Sequence, residues 1–141
     1  MSTIFLLYGN DEFAITRKLK DFESEFNDPT TADMNTTRLE ARSMTENDLN
    51  NAVNAMPFLA PKRLVFIAYP SAKFNKPDAR KKFLEFLEKA PDTAKVVLYD
   101  SVEKAKDAEK HWLVKWGEKN KPHARMQAFF LPQQRDMPGW I

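Results

Sequence analysis

The stretch Tyr8-Gly9-Asn10-Asp11-Glu12-Phe13-Ala14-Ile15-Thr16 has the position and outline of a phosphate-binding loop without its chemistry. It follows the apolar run Ile4-Phe5-Leu6-Leu7 and leads into a helical pattern, the context that a G-x-x-x-x-G-K-[ST] motif requires. Gly9 falls on the first glycine and Thr16 on the final hydroxyl. Ala14 stands at the second glycine, and Ile15 replaces the lysine that would reach the β- and γ-phosphates. Asp11 and Glu12 place two carboxylates in the loop, where they would repel a triphosphate. These residues describe an NTPase-like scaffold without the NTPase. A plainer reading stays open, because any α/β protein can place a glycine after its first strand.

Two other groups would act by contact rather than catalysis. Met56-Pro57-Phe58-Leu59-Ala60-Pro61 sets two large apolar side chains between two prolines, after a helical pattern and before an apolar strand. Phe58 and Leu59 either tuck into the core, as large apolar residues usually do, or form an exposed wedge for a partner's pocket. Pro57 and Pro61 would restrict the loop and lower the entropy lost on binding. Charge is the second feature. Residues 1–60 carry five Lys/Arg against ten Asp/Glu, and residues 61–141 carry seventeen against ten. Much of the basic excess lies in Lys73, Lys76, Arg80, Lys81, Lys82 and Lys89, which read either as the solvated face of a helix or as a stripe for a phosphate backbone or an acidic partner.

Other chemistries lose support. His111 and His123 stand apart, with no Cys, second His or obvious carboxylate at ligand spacing, so no metal site is expected. There is no G-x-S-x-G elbow and no Cys/His pair, and three glycines in the chain are few for a dinucleotide fold.

The elements that must position these residues follow from hydrophobic period. Ile15, Leu19, Phe22 and Phe26 recur at helical spacing behind a cap at Asn10 or Asp11. Arg38-Leu39-Glu40-Ala41 and the residues before it make a short second strand. Thr45, with Asp48 at the capping-box position, starts a helix that carries Leu49, Ala52, Val53 and Met56 on one side and ends before Pro57. Arg63 to Ala68 is an apolar run suited to a strand buried on both faces. Pro77 opens a helix with Phe83, Leu84 and Leu87 inward, and Lys95 to Tyr99 forms a fourth strand. Ala108, Trp112, Leu113 and Trp116 line a further helix stopped by Gly117, and Arg125 to Phe130 is a fifth strand. Strands alternating with helices predict an α/β domain, doubly wound around a mostly parallel five-stranded sheet.

The 141 residues suit one domain, and 43% hydrophobic with 30% charged residues is a globular composition. With no cysteine, neither disulfides nor thiolate metal sites are available, and the cytoplasm is the expected compartment. No apolar run approaches the roughly 18 residues of a membrane span. The chain ends in Pro138-Gly139-Trp140-Ile141, an apolar finish that predicts a domain taken from a longer protein.

The order of an L-L-Y-G-x-[DE]-x-F loop, an R-L-x-A strand, the segment A-M-P-F-L-A-P-K-R, the strand L-V-F-I and the closing M-P-G-W-I resembles the delta-subunit family of bacterial DNA polymerase III. The likeness spans the chain but only the family's N-terminal domain, residues 1–141 here, without its helical lid and C-terminal collar domains. It implies a P-loop NTPase or AAA+-like fold, usually of sheet order 5-1-4-3-2, with a degenerate nucleotide site, no cofactor and no ATP hydrolysis. The absence of a carboxylate after Leu64-Val65-Phe66-Ile67, where hydrolysing relatives hold magnesium, agrees with this. Asp100, after the fourth strand, is the one nearby acid. The resemblance further implies a non-catalytic subunit that binds and opens the sliding clamp. Phe58 and Leu59 match the family's clamp-entering apolar pair, Met56 and Pro57 flank them, and the helix at residues 45–56 leans on the clamp. The implied partners are the clamp, the other clamp-loader subunits and, through the basic stripe, primer-template DNA. Two other classes stay open: a P-loop enzyme with an unusual nucleotide site, and a nucleic-acid-binding module.

Overall fold

Apolar runs of strand length alternate with amphipathic stretches along the chain, and most fold as their period requires. The computed structural model describes residues 3–26 and 28–132. Five strands, β1 (Ile4–Gly9), β2 (Thr36–Glu40), β3 (Arg63–Ala68), β4 (Ala94–Ser101) and β5 (Ala124–Phe129), form one sheet in the order β2-β3-β4-β1-β5. Every pairing is parallel, with Leu6 opposite Leu98 and Val65 opposite Val96. The 5-1-4-3-2 order expected above is present.

The period-two alternation of each strand divides the core between two layers. Ile4, Leu6, Val65, Ile67, Val96 and Leu98 pack with α3 (Glu46–Asn54), α4 (Pro77–Glu88) and α5 (Trp112–Lys119), which contribute Leu49, Val53, Phe83, Leu87, Leu113 and Trp116. Leu7, Leu64, Phe66 and Val97 pack with Ile15 and Phe22 of α1 (Glu12–Glu23). With helices on both faces, β3 is buried from Leu64 to Ala68, which is why it reads as an unbroken apolar run. Burying each such side chain contributes about 1.5–3 kcal/mol.

Capping signals locate the helix starts. The Asp11 side chain accepts from Ala14 N at 3.1 Å, Thr45 and Asp48 form a reciprocal capping box, and Pro77 opens α4. Several boundaries differ from the sequence reading. The first helix stops at Glu23 instead of reaching Phe26, and a further short helix, α2 (Pro29–Asn35), precedes β2. The α3 helix ends at Asn54, so Met56 lies outside it and is exposed rather than inward. Ala108 belongs to a 3-10 turn, Ala105–Lys110, and α5 starts at Trp112. Gly117 does not stop α5. It lies within the helix, where an added Cβ would overlap the Met126 sulfur, so its small size lets the helix close on β5. The Pro138 to Ile141 end lies outside the described residues.

Candidate functional site

In a parallel sheet the segment preceding β3 and the loop following β1 lie at opposite strand ends. A six-residue strand separates them by about 20 Å. The structure therefore keeps the apolar segment and the loop that follows β1 apart.

At the amino end, the segment between α3 and β3 is exposed. Met56 and Leu59 are each 82% exposed and Phe58 is 49% exposed, whereas Pro57 is partly covered. The core alternative for Phe58 and Leu59 thus does not describe their positions. The backbone is nevertheless fixed. Asn35, fully buried at the end of α2, accepts from Phe58 N at 2.7 Å through Oδ1 and donates to Phe58 O at 2.7 Å through Nδ2. Leu59 then takes a left-handed conformation, φ 55°, uncommon for a residue with a branched side chain. Met34, beside Asn35, is also exposed. Behind the loop a cavity of about 330 Å³ is lined by Phe22, Phe26, Leu59, Pro61, Leu64 and Lys95, among others. Sequence reasoning missed α2, Met34 and Asn35. The Asp28-Pro29 pair was the available signal, since an Asp cap before a proline is a helix start, and Asp28 does accept from Thr31 N at 2.8 Å.

At the carboxyl end, the amides of Asn10, Asp11, Ala14 and Ile15 are already engaged. Gly9 adopts φ 141°, and an added side chain there would overlap the Phe129 carbonyl. That carbonyl accepts from both Asn10 N and Asp11 N at 3.0 Å. Ala14 N is capped by Asp11, Ile15 N donates to Asp11 O at 3.1 Å, and Asn10 Oδ1 accepts from Leu131 N at 2.8 Å. Ala14 is half-buried, Ile15 is packed among Leu7, Phe22 and Val97, and Thr16 is exposed. The space remaining is a cavity of about 100 Å³, bordered by Gly9, Glu12, Thr16, Tyr69, Tyr99 and Asp100 among others. Tyr69, in a left-handed conformation, meets Tyr99 edge to face at 5.5 Å. Burial raises both phenols above the usual value, and Glu40 adds to each shift.

Asp100, 4% exposed, joins three elements. Its Oδ2 accepts from the Ser71 hydroxyl and from Ser71 N, and it lies 3.1 Å from His111 Nε2. Trp112 Nε1 donates to Ser71 Oγ at 2.9 Å. Because His111 Nδ1 accepts from Leu113 N at 3.1 Å, the ring proton belongs on Nε2, directed at Asp100. His111 therefore does have a carboxylate partner, which its sequence neighbourhood concealed. The Ser-His-Asp composition is not a catalytic relay, since serine and aspartate meet the same ring nitrogen and the other caps a helix. Among the described residues no group of three or more His, Cys, Asp or Glu is placed to hold a metal ion.

The basic stripe is partly used within the fold. Lys73 Nζ donates to Met44 O at 2.8 Å, Arg80 Nε donates to Phe74 O at 2.8 Å and lies over the Trp112 ring, and Lys82 pairs with Glu46 at 3.6 Å. Lys76 and Lys81 are exposed. No helix among the described residues is long and apolar enough to cross a membrane.

No curated protein matches the chain. Among solved structures, the Bacillus subtilis DNA clamp loader delta protein matches with a TM-score of 0.75 at 16% identity, covering 96% of this chain and 40% of its own. A DNA polymerase III gamma subunit-related protein of Thermotoga maritima matches at a TM-score of 0.58 and 14% identity, covering 95% of this chain and 43% of its own. These likenesses show the fold, which is AAA+-like. The family model for the DNA polymerase III delta subunit matches residues 5–126, most of the chain, and the chain belongs to that family.

Proposed function

We propose that this chain binds and opens a DNA sliding clamp through the exposed loop Met56 to Leu59, without binding or hydrolysing ATP. The family supports a role in the clamp loader. The observation that carries the finer reading is the loop itself, in which large apolar side chains face solvent on a hydrogen-bonded backbone. Exposed apolar clusters of this kind mark contact surfaces, and a few anchors of this type carry most of an interface's energy. Phe58 and Leu59 are the proposed anchors, with Met56 and Pro57 beside them and α3 adjoining. This is a mechanical role rather than an enzymatic one.

The opposite end of the sheet supports the nucleotide-free part of the proposal. Phosphoryl transfer depends on donors and metal ions arranged around the phosphates. Here two loop amides bond Phe129 O, Ile15 stands in place of lysine, and Asp100 is held by Ser71 and His111. The family's place in replication supports a cytoplasmic location and association with other clamp-loader subunits. The chain spans 40% of the length of the Bacillus protein. Titration of the protein with the sliding clamp of the same organism, followed by gel filtration or calorimetry, tests the proposal. A saturable complex is expected, and no association at micromolar concentrations contradicts it.

A further inference from the structure

Asn35 has a buried carboxamide in a place where an apolar side chain would avoid the cost of burying polar atoms. Its three hydrogen bonds run to Phe58 N and Phe58 O, both at 2.7 Å, and to Thr31 O at 2.9 Å. One side chain thereby satisfies both backbone groups of a residue 23 positions away, as a neighbouring strand would. Among the described residues, no other hydrogen bond reaches the backbone of residues 56–61. We infer that Asn35 is a positioning residue for the apolar loop, holding the Phe58 backbone so that Phe58 and Leu59 are presented in their docking conformation before a partner arrives. The inference rests on the clamp reading above.

The chemistry selects this residue type. Only a carboxamide offers one donor and one acceptor side by side in fixed geometry. An aspartate lacks the donor for Phe58 O, and a leucine lacks both groups. The consequence appears at the next residue. Leu59 has φ 55° and is highly exposed, so its own packing does not hold it there. Such a conformation persists where surrounding structure determines it. Pro57 restricts the chain on one side and Pro61 on the other, and Asn35 pins the residue between Pro57 and Leu59. The helix that carries Asn35 is itself fastened, since the Asp28 carboxylate accepts from Thr31 N at 2.8 Å and from Thr31 Oγ1 at 3.0 Å. Asp28, Thr31, Asn35 and Phe58 form a continuous bracket from α2 to the loop. A loop ordered in advance loses less entropy on docking, so releasing it should weaken binding without removing a contact atom.

The test uses Asn35→Leu, with Asn35→Ala, which likewise removes the acceptor for Phe58 N, as the second variant should the first not fold. In the free protein, amide exchange at Phe58 should be about tenfold faster or more in either variant, while core sheet amides such as that of Val97 keep their protection. Titration with the sliding clamp should show affinity reduced about tenfold by the Asn35 substitution. In a Phe58→Ala/Leu59→Ala background the same substitution should change affinity by less than about twofold, because the groups it positions are gone. Equal losses in both backgrounds, or unchanged exchange at Phe58, would overturn the inference. If Phe58→Ala/Leu59→Ala leaves clamp affinity unaltered, the clamp reading fails and takes this inference with it. If that variant weakens binding and the Asn35 variants do not, the assignment of Asn35 alone fails.

Discussion

The Phe129 carbonyl lies where a side chain on Gly9 would have to be, and it accepts the N–H groups of the next two residues, Asn10 and Asp11, at 3.0 Å. A phosphate loop needs those amides to face a ligand. In this chain the last residue of β5 takes the amides of Asn10 and Asp11. Replacing Gly9 by alanine should displace β5 and destabilise the protein by about 3 kcal/mol or more, the scale of an overlap combined with an unfavourable φ. Urea unfolding measures it, and a loss below about 1 kcal/mol would show that the Gly9 and Phe129 contact matters little.

Restoring the missing lysine should not restore nucleotide binding. Ile15 is buried among Leu7, Phe22 and Val97, so Ile15→Lys removes core packing and buries an ammonium, with an expected cost of about 3 kcal/mol. Calorimetry with ATP and magnesium should give no saturable signal for the wild type or the variant. Affinity on the order of tens of micromolar in either would contradict the nucleotide-free reading.

The Asp100 cluster makes a separate prediction about stability. Asp100→Ala leaves the Ser71 hydroxyl and His111 Nε2 without their buried acceptor, a loss of about 2–4 kcal/mol. Asp100→Asn retains an acceptor oxygen and should cost less. Thermal unfolding of the two variants gives the comparison, and equal losses would argue against a hydrogen-bonded tie at this position.

The start of α2 has a defined pH response. The Thr31 backbone N–H, and then its hydroxyl, lower the Asp28 pKa from its ordinary 3.8. A depressed folded-state value means that the cap's contribution is whole above the unfolded pKa and is lost as pH falls through the folded one. The α2 helix should therefore loosen only below pH 3.8. An NMR titration of the Asp28 carboxyl carbon checks this, and a midpoint at or above 3.8 contradicts it.

Much of the fold was legible because strand period and helix period are local properties. The central strands β1, β3 and β4 appear as apolar runs, and Thr45, Asp48 and Pro77 mark helix starts where they form. The sheet order came from resemblance, since pairing between distant strands leaves no local trace. The α2 helix was missed because seven residues, Pro-Thr-Thr-Ala-Asp-Met-Asn, hold too few apolar positions to show a period. Gly117 was read as a terminator because sequence does not reveal the close approach of Met126. At the candidate site, Phe58 and Leu59 stood out by type and by their prolines, but exposure depends on the surrounding fold. The bonds from Asn35 to Phe58, and from His111 to Asp100, join residues whose sequence neighbours give no hint of them.

The most direct test of the central claim replaces Phe58 and Leu59 together by alanine and measures both clamp affinity and unfolding free energy. Exposed anchors predict affinity weakened by roughly 2–4 kcal/mol or more, about 30- to 1000-fold. Stability should change little, because no core cavity forms, in contrast to the roughly 2–5 kcal/mol that a buried large residue costs when truncated. A double variant that unfolds much more easily while its folded fraction binds the clamp with unaltered affinity would contradict the account.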